Sequence, residues 1–224
     1  MKDIFHGIRA VLFDMDGTLV ETSIDFSLMK REMLRIAGEY GIPSHQLSDL
    51  DIIGIIDAAC RELVSQSRSS DAETMYDEAY GILQEIELSA CRNAVPIDGA
   101  IELLHAIGNA GIKICIVTRN SREPVGISIE RTGVFYDILL TRDDVPDVKP
   151  HPDHLISALE PFGIPLDAAV MVGDHWMDVV AGKAAGTRTV GFLRPDRPDD
   201  FFDPYCPDLV IRSLSELSDA LAET

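Results

Sequence analysis

Two carboxylates, Asp14 and Asp16, stand at i and i+2 in residues 9–22, RAVLFDMDGTLVET, directly after the apolar run Ala10, Val11, Leu12 and Phe13. Such a pair suits a division of labour. One acid can hold Mg²⁺ through oxygen while attacking as a nucleophile, and its neighbour, pushed toward the neutral form by the nearby like charge, can donate and accept a proton. An Asp-rich turn closed by Gly17 is the bland alternative, and this stretch alone leaves both open.

The elements that must position these acids can be read around them. The apolar run is too short for a helix and rich in strand formers, so it predicts a buried strand ending at Asp14. Acids just past a strand's carboxyl end lie where α/β sheets place their ligand crevice, and Gly17 supplies the permissive backbone for the turn. The same logic applies to later strands. The run 112–117 (IKICIV) delivers Thr118, Arg119 and Asn120 at a helix N-terminus, where hydroxyl and amide donors form a cradle for phosphate oxygens. The run 168–172 (AAVMV) delivers Gly173, Asp174 and, four residues on, Asp178. Between them lies Lys149, its backbone stiffened by Pro150 and Pro152. Singly, each has a dull reading as a helix cap, a surface lysine or an ordinary turn. Their order and strand-end placement join them.

Residues 23–94 contain no strand pattern. Phe26, Met29, Met33, Leu34, Ile36 and Ala37 recur at helical spacing, which predicts a helix over 25–40 closed by Gly41 and Pro43. Two more helices are expected over 52–66 and 71–93, and the acidic run Asp71, Glu73, Asp77, Glu78, Glu85 and Glu87 reads as a solvated face. From Val95 onward helices (97–109, 121–132, 152–162, 177–185, 214–221) alternate with strands (112–117, 136–140, 168–172, 187–192, 208–211). That alternation predicts a parallel sheet covered on both faces. The expected architecture is a doubly wound α/β core, residues 1–20 and 95–224, with an inserted all-helical cap, 21–94, that can close over the crevice and exclude water. Residues 195–207 read as an ordered surface loop.

The set D-x-D-G-T (14–18), V-T-R-N (117–120), K-P-x-P-D (149–153) and G-D-x-x-x-D (173–178) resembles the haloacid dehalogenase-like (HAD) hydrolase superfamily, with all four motifs in family order over residues 11–191. The helical insertion after the first motif is similar to that of C1-cap members such as phosphoglycolate phosphatases. The resemblance implies a Rossmann-like core and a Mg²⁺-dependent phosphatase that hydrolyses a small phosphorylated metabolite. Asp14 would attack phosphorus and become an aspartyl phosphate. Asp16 would protonate the leaving alkoxide and then activate water. Mg²⁺ would be held by Asp14, the backbone carbonyl of Asp16 and Asp174, with Asp178 orienting metal waters or ligating. Thr118 and Lys149 would hold the phosphoryl oxygens, Lys149 would also keep Asp14 ionised, and Arg119 and Asn120 beside Thr118 are further substrate-binding candidates. Arg119 departs from the pattern of close relatives and reads as a second phosphate-facing cation or, preferentially, an exposed loop residue. His175 reads as a packing or surface residue because Mg²⁺ prefers oxygen, and Trp176 as packing for the following helix. In the cap, Arg61, Arg68 and Arg92 are candidates to meet an acidic substrate tail.

Bulk properties fit. The 224 residues, 46% hydrophobic, suffice for one large domain or a core with an insertion. Nineteen Lys and Arg against 38 Asp and Glu give a net charge of -19, which disfavours nucleic acid and anionic membranes as partners and demands local cations at any phosphate site. Cys60, Cys91, Cys115 and Cys206 form no C-x-x-C pair, and the N-terminal residues MKDIFHGIRA carry no apolar signal region, so reduced thiols and a cytoplasmic location are expected. A sugar phosphomutase of β-phosphoglucomutase type is the alternative activity, but it needs cap groups for a bisphosphate that have no evident equivalent here. A 2-haloacid dehalogenase has no use for a Mg²⁺ site or for Asp16, and a non-catalytic scaffold has no use for the retained acids. The cap residues that set specificity, the substrate and the oligomeric state are not legible.

Overall fold

The computed structural model describes residues 4–223. The chain forms two compact units, one running to Thr22 and resuming at Asn93, the other spanning Ser23–Arg92.

The first unit is built on a six-stranded parallel sheet of β1 (Ala10–Phe13), β4 (Lys113–Val117), β5 (Ile138–Leu140), β6 (Ala169–Gly173), β7 (Arg188–Phe192) and β8 (Leu209–Ile211), in the order β5-β4-β1-β6-β7-β8. β1 is central, pairing with β4 on one side and β6 on the other. Its four residues are all fully buried because both sheet faces are covered. Val11 and Phe13 point toward α4 (Ala100–Asn109), α5 (Arg122–Thr132) and α8 (Ser215–Ala222). Ala10 and Leu12 point toward α6 (Asp153–Leu159) and α7 (Trp176–Ala185). The continuous apolar run in the sequence is thus the direct imprint of a two-sided burial. The chain passes from β1 to β4 and β5 on one side, then crosses to β6, β7 and β8 on the other, so the strand order reverses at β1. That reversal opens a crevice at the strands' carboxyl ends.

A two-residue antiparallel ribbon, β2 (Val20–Glu21) with β3 (Val95–Pro96), joins the two ends of the first unit where residues 23–92 depart. The sequence placed no strand at either segment, since two residues carry no period. The fourth helix begins at Ala100 rather than at 97, because Gly99 takes a left-handed backbone (φ 79) that precedes the first helical turn.

The second unit has its own core. α1 (Phe26–Glu39) and α2 (Ile52–Ser65) both pack on α3 (Ser69–Cys91), burying Met33, Ile36, Ile55, Leu63, Met75 and Leu83 among others. Asp25 caps α1 by accepting from the Leu28 N–H at 2.7 Å, and Asp51 caps α2 by accepting from the Gly54 N–H at 3.3 Å. The acidic run on α3 is not wholly a solvated face as expected. Glu73, Asp77, Glu78 and Glu85 are exposed and Asp71 is half-buried, but Glu87 is only 3% exposed because its position lies on the stripe shared with Leu83 and Ala90.

Candidate active site

Asp14 is the first residue beyond β1, still tied to the sheet by its N–H donating to the Val172 carbonyl at 2.9 Å. The next five residues form a tight turn in which the N–H groups of Leu19 and Val20 both donate to the Met15 carbonyl, at 2.9 and 3.0 Å. Met15 and Leu19 are fully buried, so the turn anchors itself in the core through those side chains while Asp14 and Asp16 face outward. Gly17 is required twice over. Its φ is +88, and a Cβ there would lie 2.5 Å from Asp174 Oδ2.

Thr18, fully buried, is the bolt between the first and last motifs. Its hydroxyl accepts the Asp174 N–H at 3.0 Å and donates to Asp174 Oδ1 at 3.3 Å, across 156 residues of chain. Sequence reasoning gave it no role, and only its adjacency to Gly17 hinted at one.

Lys149 is 1% exposed and places its ammonium between Asp14 Oδ1 and Asp178 Oδ1, at 2.7 Å from each. Its backbone N–H donates to Nδ1 of His154, a fully buried side chain behind the loop that sequence reasoning also passed over. Asp178, on the first turn of α7, is 2% exposed, and its Oδ2 accepts the His175 N–H at 3.1 Å. Gly173 makes that possible, since a Cβ there would lie 2.1 Å from Asp178 Oδ2. His175 in turn caps α7 by accepting the Met177 N–H on Nδ1 at 3.4 Å.

Asp16 is oriented by two donors, Thr22 Oγ1 at 2.8 Å and Asn120 Nδ2 at 3.3 Å. Asn120 also accepts the Ser121 N–H at 2.9 Å, so much of its amide is engaged in fixing the turn. Thr118 follows β4 with its N–H on the Leu140 carbonyl at 2.9 Å, 1% exposed. Arg119 is not the freely solvated residue the sequence favoured. It is half-buried, its guanidinium meets the Met177 sulfur, and its carbonyl accepts from Arg142 at 3.1 Å. Trp176 stacks on Tyr205, with ring centroids 5.6 Å apart. In the other unit Arg68 is engaged by Asp71 at 2.6 Å and the Tyr40 carbonyl at 2.8 Å, which makes it a brace within that unit.

The electrostatics follow from crowding acids in a partly dry site. Burial raises the Asp14 carboxyl above its ordinary value, the Lys149 ammonium opposes this, and the charge of Asp178 adds to the rise. Burial, then the charges of Asp14 and Asp178, push Asp174 well upward. Asp16 is lifted to about 6, mainly by burial and then by the charge of Asp14, against the pull of Thr22 and Asn120. Burial works to deprotonate Lys149, but Asp14 and Asp178 outweigh it and hold it as an ammonium above its ordinary value. Burial and the nearby Lys149 charge push His154 down to about 3, so it is a neutral imidazole.

Carboxylate oxygens of Asp14, Asp174 and Asp178 lie within 4.8 Å of one another. Lys149 compensates Asp14 and Asp178 but makes no bond to Asp174, leaving excess negative charge that a cation would neutralise. Hard oxygen donors at this spacing fit Mg²⁺. The exposed trio Asp147, His151 and Asp153 also comes together, without burial or a second feature to mark it.

The chain is 30% identical over 220 residues to pyrophosphatase PpaX of Bacillus mycoides (strain KBAB4), covering 94% of this chain and 95% of that protein. The crystal structure of a HAD phosphatase from Thermococcus onnurineus is 25% identical with a TM-score of 0.62, over 96% of this chain and 99% of that one. The fold is shared with a HAD family hydrolase from Deinococcus radiodurans R1 with bound phosphate and sodium, 24% identical with a TM-score of 0.63, over 97% and 96% of the two chains. The family described as haloacid dehalogenase-like hydrolase matches residues 11–192, which takes in Asp14, Lys149 and Asp178 alike. This chain belongs to the haloacid dehalogenase-like hydrolase family.

Proposed function

We propose that the protein is a Mg²⁺-dependent phosphatase that hydrolyses a small phosphorylated metabolite through an aspartyl phosphate on Asp14. The observation that carries this reading is the pair at the end of β1. Asp14 is held by the Lys149 ammonium at 2.7 Å, while Asp16, two residues on, is lifted to about 6 and so titrates in the range a general acid and base needs. An ammonium pairs with the first acid and neutral donors with the second, a difference of surroundings that suits one to attack and the other to carry a proton.

The Asp14 carboxylate attacks phosphorus, the bond from phosphorus to the leaving oxygen breaks, and that oxygen takes the proton of Asp16. Asp16, now a carboxylate, accepts a proton from water as the water oxygen attacks the phosphorus of the aspartyl phosphate, releasing phosphate and Asp14. Thr118 and Lys149 meet the phosphoryl oxygens, with Asn120 and Thr22 keeping Asp16 aimed. Arg119 and Asn120 at the cradle complete the group toward the substrate. Asp178 positions Lys149 and the start of α7. Asp14, the Asp16 carbonyl and Asp174 would hold the metal ion, with Asp178 beside them. Bound there, Mg²⁺ would supply positive charge for the transferring phosphoryl oxygens and offset the crowded carboxylates.

Residues 21–94 serve in this reading as a helical cap that sets specificity. The relatives named pyrophosphatase support pyrophosphate as one candidate substrate. No helix among the described residues is long and apolar enough to cross a membrane, and the four cysteines are free, in keeping with a cytoplasmic enzyme. The test is phosphate release from a panel of phosphometabolites, with Mg²⁺ and with EDTA, running wild type beside Asp14→Asn. Release by wild type with metal, and by neither control, is expected. Undiminished activity in EDTA refutes the metal assignment, and near-native activity of Asp14→Asn refutes the nucleophile.

A further inference from the structure

Beside Arg119 and the metal ion of the reading above, Lys149 is the cation that meets the phosphoryl group. A lysine ammonium offers three donors, and Lys149 directs two of them at Asp14 and Asp178. One remains for the phosphoryl group, and a second anionic group on a substrate must be met elsewhere. The chain carries 38 acidic against 19 basic residues, so a cation left beside the site is informative.

Two such cations stand on one turn. β7 pairs Gly191 with Gly173 of β6, and the chain leaves β7 at the same sheet edge that presents Asp174. Arg194 and Arg197 follow, joined by the Arg197 N–H donating to the Arg194 carbonyl at 3.1 Å. The Arg197 guanidinium lies 5.0 Å from the centroid of the Phe201 ring, and that ring lies 6.3 Å from the ring of His175, the residue after Asp174. Among the described residues no carboxylate pairs with Arg197. Arg194 is ion-paired with Glu21 and sits 5.9 Å over Phe192, and a guanidinium has five donors, so one carboxylate does not saturate it. The charges of both arginines bear on Asp174, against its upward shift.

The segment is also built to stay in place. Phe202 is buried with Val179 and Leu193, in space that Gly191 opens by lacking a Cβ that would lie 2.8 Å from the ring. Lys183 donates to the Tyr205 carbonyl at 2.7 Å, and Tyr205 stacks on Trp176. The segment also carries Asp196, Asp199, Asp200 and Asp203, of which Asp199 is paired with Arg212 at 2.8 Å. A pair of cations on an ordered platform binds without first losing the freedom of a loose loop.

We infer that Arg194 and Arg197 form a second anion subsite beside the phosphoryl site, so that the favoured substrate carries a second phosphate or a carboxylate on its leaving group. The inference rests on the phosphatase reading above. It makes the turn after β7 a specificity element on the core unit, in addition to whatever the helical unit contributes.

The test compares pyrophosphate and 2-phosphoglycolate, which carry a second anion, with p-nitrophenyl phosphate, which does not, in the full chain with Mg²⁺. Arg197→Gln, and Arg194→Gln separately, should raise KM for at least one of the doubly anionic substrates about tenfold or more, as loss of a charge-assisted contact does. The shift for p-nitrophenyl phosphate should stay below about threefold, and Arg197→Lys should recover part of the loss. Which of the two anionic substrates responds tells a second phosphate from a carboxylate. Equal shifts for all three substrates, or no shift for any, overturn the subsite while leaving the phosphatase standing. If wild type hydrolyses none of them, the phosphatase reading fails, and the subsite with it.

Discussion

Replacing Lys149 tests more of the site than any other change, because one side chain is asked to do two separable things. It neutralises two carboxylates at 2.7 Å, of which Asp178 is only 2% exposed, and it presents a charge to the transferring phosphoryl group. Removing one partner of a buried ion pair costs about 3–5 kcal/mol, most of it the cost of the uncompensated charge left behind. Losing a preorganised charge at the reacting centre costs on the order of a hundredfold or more in rate, roughly 3 kcal/mol. Lys149→Met should therefore show both losses, in urea unfolding and in kcat for a generic phosphate ester. The two effects part in the double variant Lys149→Met/Asp178→Asn. Neutralising Asp178 removes the stranded charge and should return about 2 kcal/mol of stability, but it supplies no charge to the phosphoryl group, so the rate should stay low. A loss of only about twofold in rate for Lys149→Met would show that this charge does not act on the reaction. A double variant no more stable than the single one would show that Asp178 is not what Lys149 compensates.

Gly17→Ala should raise the Mg²⁺ concentration needed for half-maximal activity about tenfold or more, because the new Cβ would lie 2.5 Å from Asp174 Oδ2 and displace it; an unchanged Mg²⁺ requirement would refute that link. Asp16 governs a pH dependence of defined sign. Its carboxyl titrates near 3.8 unfolded and at about 6 folded, so between those values the folded metal-free protein keeps a proton the unfolded chain has released, and stability falls as pH rises. The whole window carries about 3 kcal/mol, of which about 2 kcal/mol lies between pH 4.5 and 7, and Asp16→Asn should lose that smaller share of the dependence in urea unfolding at those two pH values; parallel profiles for the two proteins would contradict the raised value.

The sequence showed the core acids well because their position is written in burial. β1 is apolar at every residue since both sheet faces are covered, and the run stops at the first residue that faces the crevice, Asp14. The same holds where β4 ends before Thr118 and where β6 ends at Gly173. What binds those strand ends to one another was not legible. Thr18 reaches Asp174 across 156 positions, and a buried threonine looks like any β-turn residue until the partner is seen. His154 is polar and fully buried, and nothing local announces that its imidazole accepts the N–H of Lys149 five positions back. Asn120 read as a phosphate donor, and it is, in its immediate surroundings, a brace for Asp16. Glu87 read as solvated because its neighbours in the acidic run are, yet helical phase places it on the buried stripe. The stretch 195–207 read as an ordered surface loop, but its Pro and Asp content gave no sign that Phe202 anchors it, or that Arg197 within it and Arg194 just before it follow β7 at the edge that presents Asp174.

The claim at the centre of this account is that Asp14 forms a bond to phosphorus, and it can be examined without knowing the natural substrate. Wild type and Asp14→Asn, each with Mg²⁺ and a generic phosphate ester, would be quenched in acid during turnover, digested, and the peptide containing residue 14 weighed. The account predicts a phosphoryl adduct on that peptide in wild type, localised to Asp14, and none in the variant. Turnover by wild type with the phosphoryl group on another residue, or with the adduct persisting in Asp14→Asn, would contradict it.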